Sequence, residues 1–225
     1  MRVIGLTGGI ACGKSNVSAT LRDLGAAVID GDVLSRELTA PGGRALPAIQ
    51  EAFGRGVFHE DGTLNRRALG RVVFGDDAAR ARLDGIMQPL LRELILRRTE
   101  EARQSGAALC VLDMPLLYEA GLDTLCDRVW CVSLPEEEQL SRLMVRDGFT
   151  LEEARARLES QMPAREKVRR AQVVIDTSGS IQYTKAMIPA LYAEEIRLAH
   201  AAPDEGGPDG IYSHSRQQQA NDAPR

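Results

Sequence analysis

The chain has 225 residues, of which 44% are hydrophobic and 27% are charged. This composition is typical of a soluble globular protein, and it excludes both an intrinsically disordered chain and a disulfide-stabilised miniprotein. The net charge of −4 excludes a uniformly basic surface for nucleic acid, so an anionic ligand has to be bound by local groups.

The amino terminus and the cysteines indicate the compartment. The apolar run that begins the chain stops at Gly8, which is too early for a secretory signal. The 4 cysteines form no CxxC pair, and most of them lie in apolar stretches where a reduced thiol serves as a small hydrophobic group. No apolar run reaches the length of about 20 residues that crosses a membrane. We therefore expect a cytoplasmic protein with no membrane or nucleic-acid partner.

The opening segment predicts a strand, a loop, a helix and a second strand. Residues 3–6 are apolar and uninterrupted, and apolar residues then recur at the spacing of one helix face over residues 17–24. Residues 27–29 form the next apolar run, which ends at Asp30. Later runs of the same character lie at residues 109–112, 129–132 and 173–175. Such runs are typical of a parallel sheet covered on both faces, so we predict an α/β fold with about five parallel strands.

The long stretch between the second and third predicted strands, residues 33–107, has helical spacing and no comparable strand. We predict a helical insertion there. Pro89 interrupts the apolar helical pattern of this stretch. A proline suits the first turn of a helix better than its interior, so we predict two helices that meet near Gln88 rather than one long helix.

Further helices are predicted after the fourth strand. Pro135 opens one of them, and Thr150 with Glu153 forms a capping-box pattern that starts the next. A closing helix is indicated from Ile181 onwards, and Pro189 is predicted to kink this helix or to displace its start.

Residues 8–15 read GGIACGKS and match the pattern GxxxxGK(S/T) between a predicted strand and a predicted helix, which is the context that this P-loop motif requires. Gly8 and Gly13 leave room for the main chain to approach a triphosphate, and the amino terminus of the following helix favours the anion. Lys14 supplies a cation for the β- and γ-phosphate oxygens, and the Ser15 hydroxyl is placed to bind Mg²⁺. The alternative is a chance glycine turn with a surface lysine. We predict an ATP and Mg²⁺ site.

Aspartates follow the predicted strands at the edge where their carboxyl ends meet. Asp113 ends the third strand, where P-loop proteins place an acidic residue that holds the metal; capping of the next turn is the alternative. Asp30 and Asp32 follow the second strand. A carboxylate there can align an acceptor hydroxyl with the γ-phosphate and accept its proton. Capping of the next helix is the alternative for one of the two.

Arg142 and Arg146 lie four residues apart on a predicted helix and therefore share one face. A solvated charged face is one interpretation. The other is a lid that closes over ATP, neutralises charge on the transferring phosphoryl group and excludes water. The chain has no guanine-reading AsnLysxAsp sequence, so we predict a small kinase rather than a GTPase.

Several blocks of sequence resemble the dephospho-CoA kinase family in order and spacing. They are LTGGIACGKS at 6–15, VIDGD at 28–32, DGTLNRRAL at 61–69, DMPLLYE at 113–119 and SRLMVRDGFTLEEARARLESQM at 141–162. The resemblance implies a three-layer P-loop NTPase fold and transfer of the ATP γ-phosphate to the 3′-hydroxyl of dephospho-CoA. Another small-molecule kinase and a non-catalytic ATP-binding regulator are the alternatives. We expect a monomer.

The resemblance also implies a role for particular segments and residues. One domain is expected at residues 1–201, with an acceptor-binding insertion at 33–107 and a lid at 136–170, and residues 202–225 are predicted to be a disordered tail. The implied phosphate-binding set is Gly8, Gly9, Ala11, Cys12, Gly13, Lys14, Ser15 and Asn16. The implied catalytic set is Asp32, Lys14, Arg142 and Arg146, and the predicted metal ligands are Ser15 and Asp113.

The chain departs from the family pattern at several positions. Small residues replace Gly and Ser in the loop, and because the loop binds phosphate through its main chain we expect ATP binding to survive. Two departures lie around the last strand, where we expect the adenine edge and predict altered nucleotide affinity. Ala11, Cys12 and Asn16 stand where the family usually has Gly, Ser and Thr, and Gln88 stands where it usually has His. Gln172 and Thr177 stand where it usually has Asp and Asn.

Overall fold

The computed structural model describes residues 1–201, so the predicted disorder of residues 202–225 lies outside the described residues. One sheet contains the strands β1 (Arg2–Gly8), β2 (Ala27–Asp30), β3 (Leu109–Asp113), β4 (Arg128–Ser133) and β5 (Val173–Asp176). All neighbouring pairs are parallel, and the order across the sheet is β2-β3-β1-β4-β5. The predicted α/β fold with five parallel strands is confirmed.

Helices connect the strands. In chain order they are α1 (Lys14–Asp23), α2 (Gly31–Leu38), α3 (Leu46–Phe53), α4 (Arg66–Phe74), α5 (Asp77–Gln104), α6 (Glu136–Asp147), α7 (Leu151–Glu159), α8 (Ala164–Arg170) and α9 (Ile181–Ala201). Helix α7 begins with the predicted capping box between Thr150 and Glu153. Within residues 1–201, no helix combines the length and the apolar character needed to cross a membrane.

Two apolar layers cover the faces of the sheet because its strands carry buried residues on both sides. On one face, Val17 and Leu21 of α1 pack with Ile188 of α9 against the sheet. On the other face, residues of α2, α3 and α5 pack in one cluster with Cys110 and Leu112 of β3. The result is three layers, helix, sheet and helix, in agreement with the expected P-loop architecture.

Helix α5 runs without a break through Pro89, so the prediction of two helices that meet near Gln88 is wrong. A proline inside a helix removes one main-chain hydrogen bond and crowds the carbonyl four residues earlier. Residues on both sides of the proline, including Leu83 and Leu94, pack on the same apolar cluster. We attribute the continuous helix to this burial, which offsets the missing hydrogen bond.

The closing helix α9 also contains a proline. It begins at Ile181 and includes Pro189, so the proline does not displace the start of the helix. Ile188, the residue before the proline, is fully buried against the sheet. Tertiary packing again outweighs the local preference.

Glu195 attaches α9 to the edge of the sheet where the strands begin. Its side chain is 1% exposed. It accepts hydrogen bonds from Arg2 Nε at 2.8 Å, from Arg128 Nη1 at 3.0 Å and from Trp130 Nε1 at 3.4 Å. A carboxylate buried to this degree needs such partners, so this cluster stabilises the fold at the edge opposite the P-loop.

Candidate active site

The carboxyl ends of β1, β3 and β2 meet at one edge of the sheet. In the strand register Leu6 lies beside Asp113, and Asp113 lies beside Asp30. Neighbouring strands are about 4.8 Å apart. The loops that follow these strands therefore border one shared region.

The loop between β1 and α1 has the main-chain conformation of an anion-binding turn. Ala11 with φ of 59° and Gly13 with φ of 84° both adopt the left-handed conformation. Such residues turn successive main-chain N–H groups towards one side. Gly13 immediately precedes α1, and no side chain of the described residues caps this helix. The N–H groups of Lys14 and Ser15 therefore stay available to an anion, whereas the N–H of Asn16 donates to the Gly13 carbonyl at 3.0 Å.

Neighbouring elements occupy the space beside both glycines at the start of the loop. A Cβ atom at Gly8 would lie 2.5 Å from the main-chain oxygen of Val132, and one at Gly9 would lie 2.5 Å from Oε1 of Gln139. The space at Gly8 is thus taken by β4, whereas the sequence analysis predicted room for a triphosphate. At Gly13 a Cβ would meet no described atom nearer than 3.8 Å, so the approach to the main chain is open there.

Cys12 contributes its main chain to the loop and its side chain to the core. The side chain is 1% exposed, and the main-chain oxygen accepts a hydrogen bond from the Thr177 hydroxyl at 2.7 Å. Burial raises the pKa of the Cys12 thiol, and the positive charges of Lys14 and Lys167 oppose part of this shift. The thiol is therefore a neutral packing group.

Lys14 forms an ion pair with Asp113. The two side chains are 17% and 5% exposed, and they are brought together from positions 99 residues apart by the register of β1 and β3. The ammonium group is thereby held at the carboxyl edge of the sheet. Asp113 does not cap the following turn through its side chain in the described residues, so the capping alternative is not supported.

The structure separates the two aspartates that follow β2. Asp30 precedes α2, and its carboxylate accepts hydrogen bonds from the main-chain N–H groups of Asp32 at 2.9 Å and Val33 at 3.1 Å. The capping alternative therefore applies to Asp30. The carboxylate of Asp32 is exposed and has no hydrogen-bond or ion-pair partner within residues 1–201. Asp32 is thus the carboxylate that remains available to a ligand.

The two arginines of α6 point to different surroundings. Arg142 donates from Nη2 to the main-chain oxygen of Thr177 at 3.1 Å, and its Nη1 lies 3.8 Å from the Cβ position at Gly13. Arg142 is therefore beside the P-loop. Arg146 is 61% exposed and pairs with Asp147 at 2.7 Å, and this hydrogen bond raises the pKa of its guanidinium. The structure brings Arg142 to the loop but does not bring Arg146 there.

The departures around β5 lie at opposite ends of the strand. Thr177 follows the strand at its carboxyl end and bonds the loop. Gln172 precedes the strand and accepts a hydrogen bond from the main-chain N–H of Val129 at 2.6 Å. The expectation that Gln172 lies at the adenine edge is therefore wrong, because it belongs to the edge where the strands begin.

The donor set fits a magnesium ion that is bound largely by substrate. Within residues 1–201, no group of three or more His, Cys, Asp or Glu side chains could hold a metal ion. Magnesium in phosphoryl-transfer sites uses one or two protein oxygens together with phosphate oxygens and water. The exposed Ser15, at the start of α1, and the carboxylate of Asp113 supply oxygen donors of this kind.

A group of contacts around Pro115 was missed by the sequence analysis. The ammonium of Lys167 donates to the Pro115 carbonyl at 2.7 Å and pairs with Glu119 at 2.9 Å. The Thr7 hydroxyl donates to the same carbonyl at 3.0 Å. Lys167 lies in a run of basic residues that is typical of a solvated surface, so only the DMPLLYE block, which contains Pro115 and Glu119, signalled this region.

Comparisons with known proteins agree with the geometry. A family model described as Dephospho-CoA kinase matches residues 2–183. A dephospho-CoA kinase of Symbiobacterium thermophilum is 48% identical over 192 residues, which cover 85% of this chain and 80% of the relative.

Two solved structures are also similar over most of their length. TT1252 from Thermus thermophilus has a TM-score of 0.73 at 35% identity, and the match covers 86% of this chain and 97% of that one. A dephospho-CoA kinase from Campylobacter jejuni has a TM-score of 0.59 at 26% identity, with the same shares of 86% and 97%. On the family match and these relatives, the chain belongs to the dephospho-CoA kinase family.

Proposed function

We propose that this chain transfers the γ-phosphate of ATP to the 3′-hydroxyl of dephospho-CoA, giving coenzyme A and ADP in the final step of coenzyme A synthesis. The observation that carries the proposal is the shared edge of the sheet. In a chain of this family, the register of β2, β3 and β1 gathers Asp32, Asp113 and the P-loop at that edge.

The P-loop is proposed to bind the phosphates of ATP. Ala11 and Gly13 have the left-handed conformation that is typical of an anion-binding turn, and Lys14 adds a cation at the same edge of the sheet. Groups that are oriented before the reaction stabilise the charge that develops on the transferring phosphoryl group. Mg²⁺, when bound, neutralises charge on the β- and γ-phosphate oxygens, and Ser15 and Asp113 would hold it.

Asp32 is proposed to act on the acceptor hydroxyl. Its exposed carboxylate, without a protein partner in the described residues, can accept a hydrogen bond from the 3′-hydroxyl. It takes the proton as the new P–O bond forms and the bond to the ADP oxygen breaks. A carboxylate is too weak a base to remove the alcohol proton before transfer, so its contribution is alignment and late proton acceptance.

We also propose roles for the larger segments of the domain at residues 1–201. The insertion at 33–107 binds the acceptor, since α2 carries Asp32 into it, and residues 136–170 cover the donor. A cytoplasmic monomer is proposed as well. The cytoplasmic location is supported by the four free cysteines of the described residues.

Product analysis with a panel of acceptors tests the proposal. The purified chain is incubated with ATP, Mg²⁺ and either dephospho-CoA, AMP, shikimate or gluconate, and ADP release is followed while ³¹P NMR identifies the phosphorylated position. We expect dephospho-CoA to be preferred by about a hundredfold or more in kcat/KM. Preferred phosphorylation of another acceptor would overturn the assignment, and ATP binding without turnover of any acceptor would indicate a regulator instead.

A lysine variant connects this activity to the P-loop. Lys14→Ala is expected to lower turnover by about a hundredfold or more, the scale of losing one preorganised electrostatic contact. Lys185→Ala is the matched control, because Lys185 is an exposed lysine on α9 and its loss should leave turnover unchanged. Full activity of Lys14→Ala would contradict the assignment of the phosphate site.

A further inference from the structure

We propose that Lys167 is a positioning residue for phosphoryl transfer. It fixes the main-chain carbonyl of Pro115, and with it residues 113–115 at the end of β3, which contact both Lys14 and Gly31, the residue before Asp32. The inference rests on the proposed function and adds to it a side chain from α8, which lies in the region proposed to cover ATP.

The burial of Lys167 is the first observation. Its side chain is 0% exposed, and a cation removed from water is stable only with close partners. Two partners are present, the Pro115 carbonyl at 2.7 Å and Glu119 Oε1 at 2.9 Å. The same Glu119 oxygen accepts the main-chain N–H of Met162 at 3.0 Å, just before α8 begins. One carboxylate therefore ties both the lysine and the start of α8 to the loop after β3.

The Pro115 carbonyl is held from two directions. Lys167 donates to it from α8, and the Thr7 hydroxyl donates to it from β1 at 3.0 Å. Thr7 is fully buried and directly precedes the P-loop. A carbonyl oxygen has two acceptor positions, so these donors occupy both. The position of Pro115 is thereby set by the strand that enters the P-loop and by α8 together.

The segment before Pro115 contacts both parts of the proposed site. Asp113 forms the ion pair with Lys14. The Met114 sulfur fills the place that a Cβ atom would take at Gly31, the residue directly before Asp32. Displacement of Pro115 would therefore shift the partner of the P-loop lysine and the neighbour of the acceptor aspartate at once.

The other basic residues of α8 do not share this arrangement. Arg169 is 75% exposed and pairs with Glu166 at 2.8 Å across one helix turn. In addition, α8 packs on β4 and β1, whereas α7 packs on α6. The helix that carries Lys167 is thus attached directly to the sheet.

Three variants test the proposal in the full-length chain. Lys167→Met removes the charge and the donors but keeps most of the side-chain volume, Lys167→Arg keeps a cation with donors, and Arg169→Met is the control on the same helix. We measure kcat and KM for both substrates, and the stoichiometry of ATP binding gives the number of folded sites. We also measure hydrogen exchange at the Met114 amide, which donates to the Leu6 oxygen at 2.9 Å.

Lys167→Met is expected to lower kcat per folded site by about 10- to 100-fold, the effect of a small displacement near reacting groups, with KM for ATP changed by less than about threefold. Exchange at Met114 should become faster by about tenfold. Lys167→Arg keeps a charged donor in a larger side chain and should recover part of the lost kcat, and Arg169→Met should match the wild type in both measurements.

A purely structural role predicts a different result. In that case Lys167→Met lowers Tm and the number of folded sites but keeps kcat per site and Met114 exchange, and the proposal is overturned. If Lys167→Met does not fold, Thr7→Val removes the other donor to the same carbonyl, and an unchanged kcat with unchanged exchange overturns the proposal equally. Absence of turnover in the wild type would refute the proposed function, while exchange at Met114 would still report the role of Lys167.

Discussion

Replacement of Asp32 by Asn is expected to separate catalysis from folding at the start of α2. Asp32 is exposed and without a partner in the described residues, whereas Asp30 accepts two main-chain hydrogen bonds at 2.9 and 3.1 Å. The two aspartates should therefore respond in opposite ways. Asp32→Asn should impair the reaction and spare the fold, and Asp30→Ala should impair the fold more than the reaction.

The expected magnitudes follow from these contacts. Loss of a proton acceptor in the transition state lowers kcat by about 10²- to 10⁴-fold, which raises the barrier by about 2.7 to 5.4 kcal/mol. Asp32→Asn should leave Tm within about 1 °C of the wild type, since only a weak interaction with the helix dipole is lost. Asp30→Ala removes an N-cap that contributes about 1 kcal/mol, so Tm should fall by about 2–4 °C in a domain of this size.

Steady-state kinetics, calorimetric ATP binding and thermal unfolding are measured for each variant. Asp30→Asn is the matched control, because asparagine also caps helices and should preserve both Tm and kcat. The Kd for ATP should change by less than about twofold in Asp32→Asn, since the loop amides are untouched. The reasoning fails if Asp32→Asn keeps kcat, or if Asp30→Asn loses as much kcat as Asp32→Asn.

Other variants address the loop, the α9 cluster and the thiols. Ala11→Gly should raise the free energy of unfolding by about 0.5 kcal/mol, because Ala11 has a left-handed φ of 59°. Ala156 is exposed within α7, so Ala156→Gly should instead lower the free energy of unfolding by about 1 kcal/mol in the same urea titration. A change of the same sign in both variants would contradict the argument. Glu195→Leu should destabilise the fold by about 2 kcal/mol, since Arg2 and Trp130 lose their acceptor while Arg128 keeps Glu194 at 3.0 Å, and calorimetry should show Tm lower by about 4–8 °C with kcat at 25 °C unchanged. Burial raises the pKa of the Cys110 thiol to about 11 and those of Cys126 and Cys131 to about 12. Because the thiolate is the reactive form, labelling by a disulfide reagent at pH 8 should be slow in the native protein and fast in denaturant. Rapid native labelling of these thiols would refute that account.

Local patterns in the sequence were sufficient for the order of the elements and for the P-loop. The apolar runs marked all five strands of the sheet, and the Thr150 and Glu153 pair marked the start of α7. The GGIACGKS sequence marked the turn between β1 and α1. Such features depend on interactions between residues that are close along the chain, so they can be read without knowledge of the packing.

The tertiary structure decided which of several similar residues carries each role. Asp30 and Asp32 are alike in sequence, and only the direction of the chain at the start of α2 makes one a cap and leaves the other exposed. The helix through Pro89 likewise depends on packing against residues from other elements. Where two local outcomes differ by only a few kcal/mol, long-range burial selects between them.

Sequence patterns did not predict the contacts that join distant segments of the chain. The pairing of Lys14 with Asp113 spans 99 positions, and Lys167 reaches the Pro115 carbonyl from a helix whose basic run resembles a solvated surface. Charge and spacing along the chain are the same for a buried lysine and an exposed one. Only the fold supplies the low-dielectric surroundings and the partners that distinguish them.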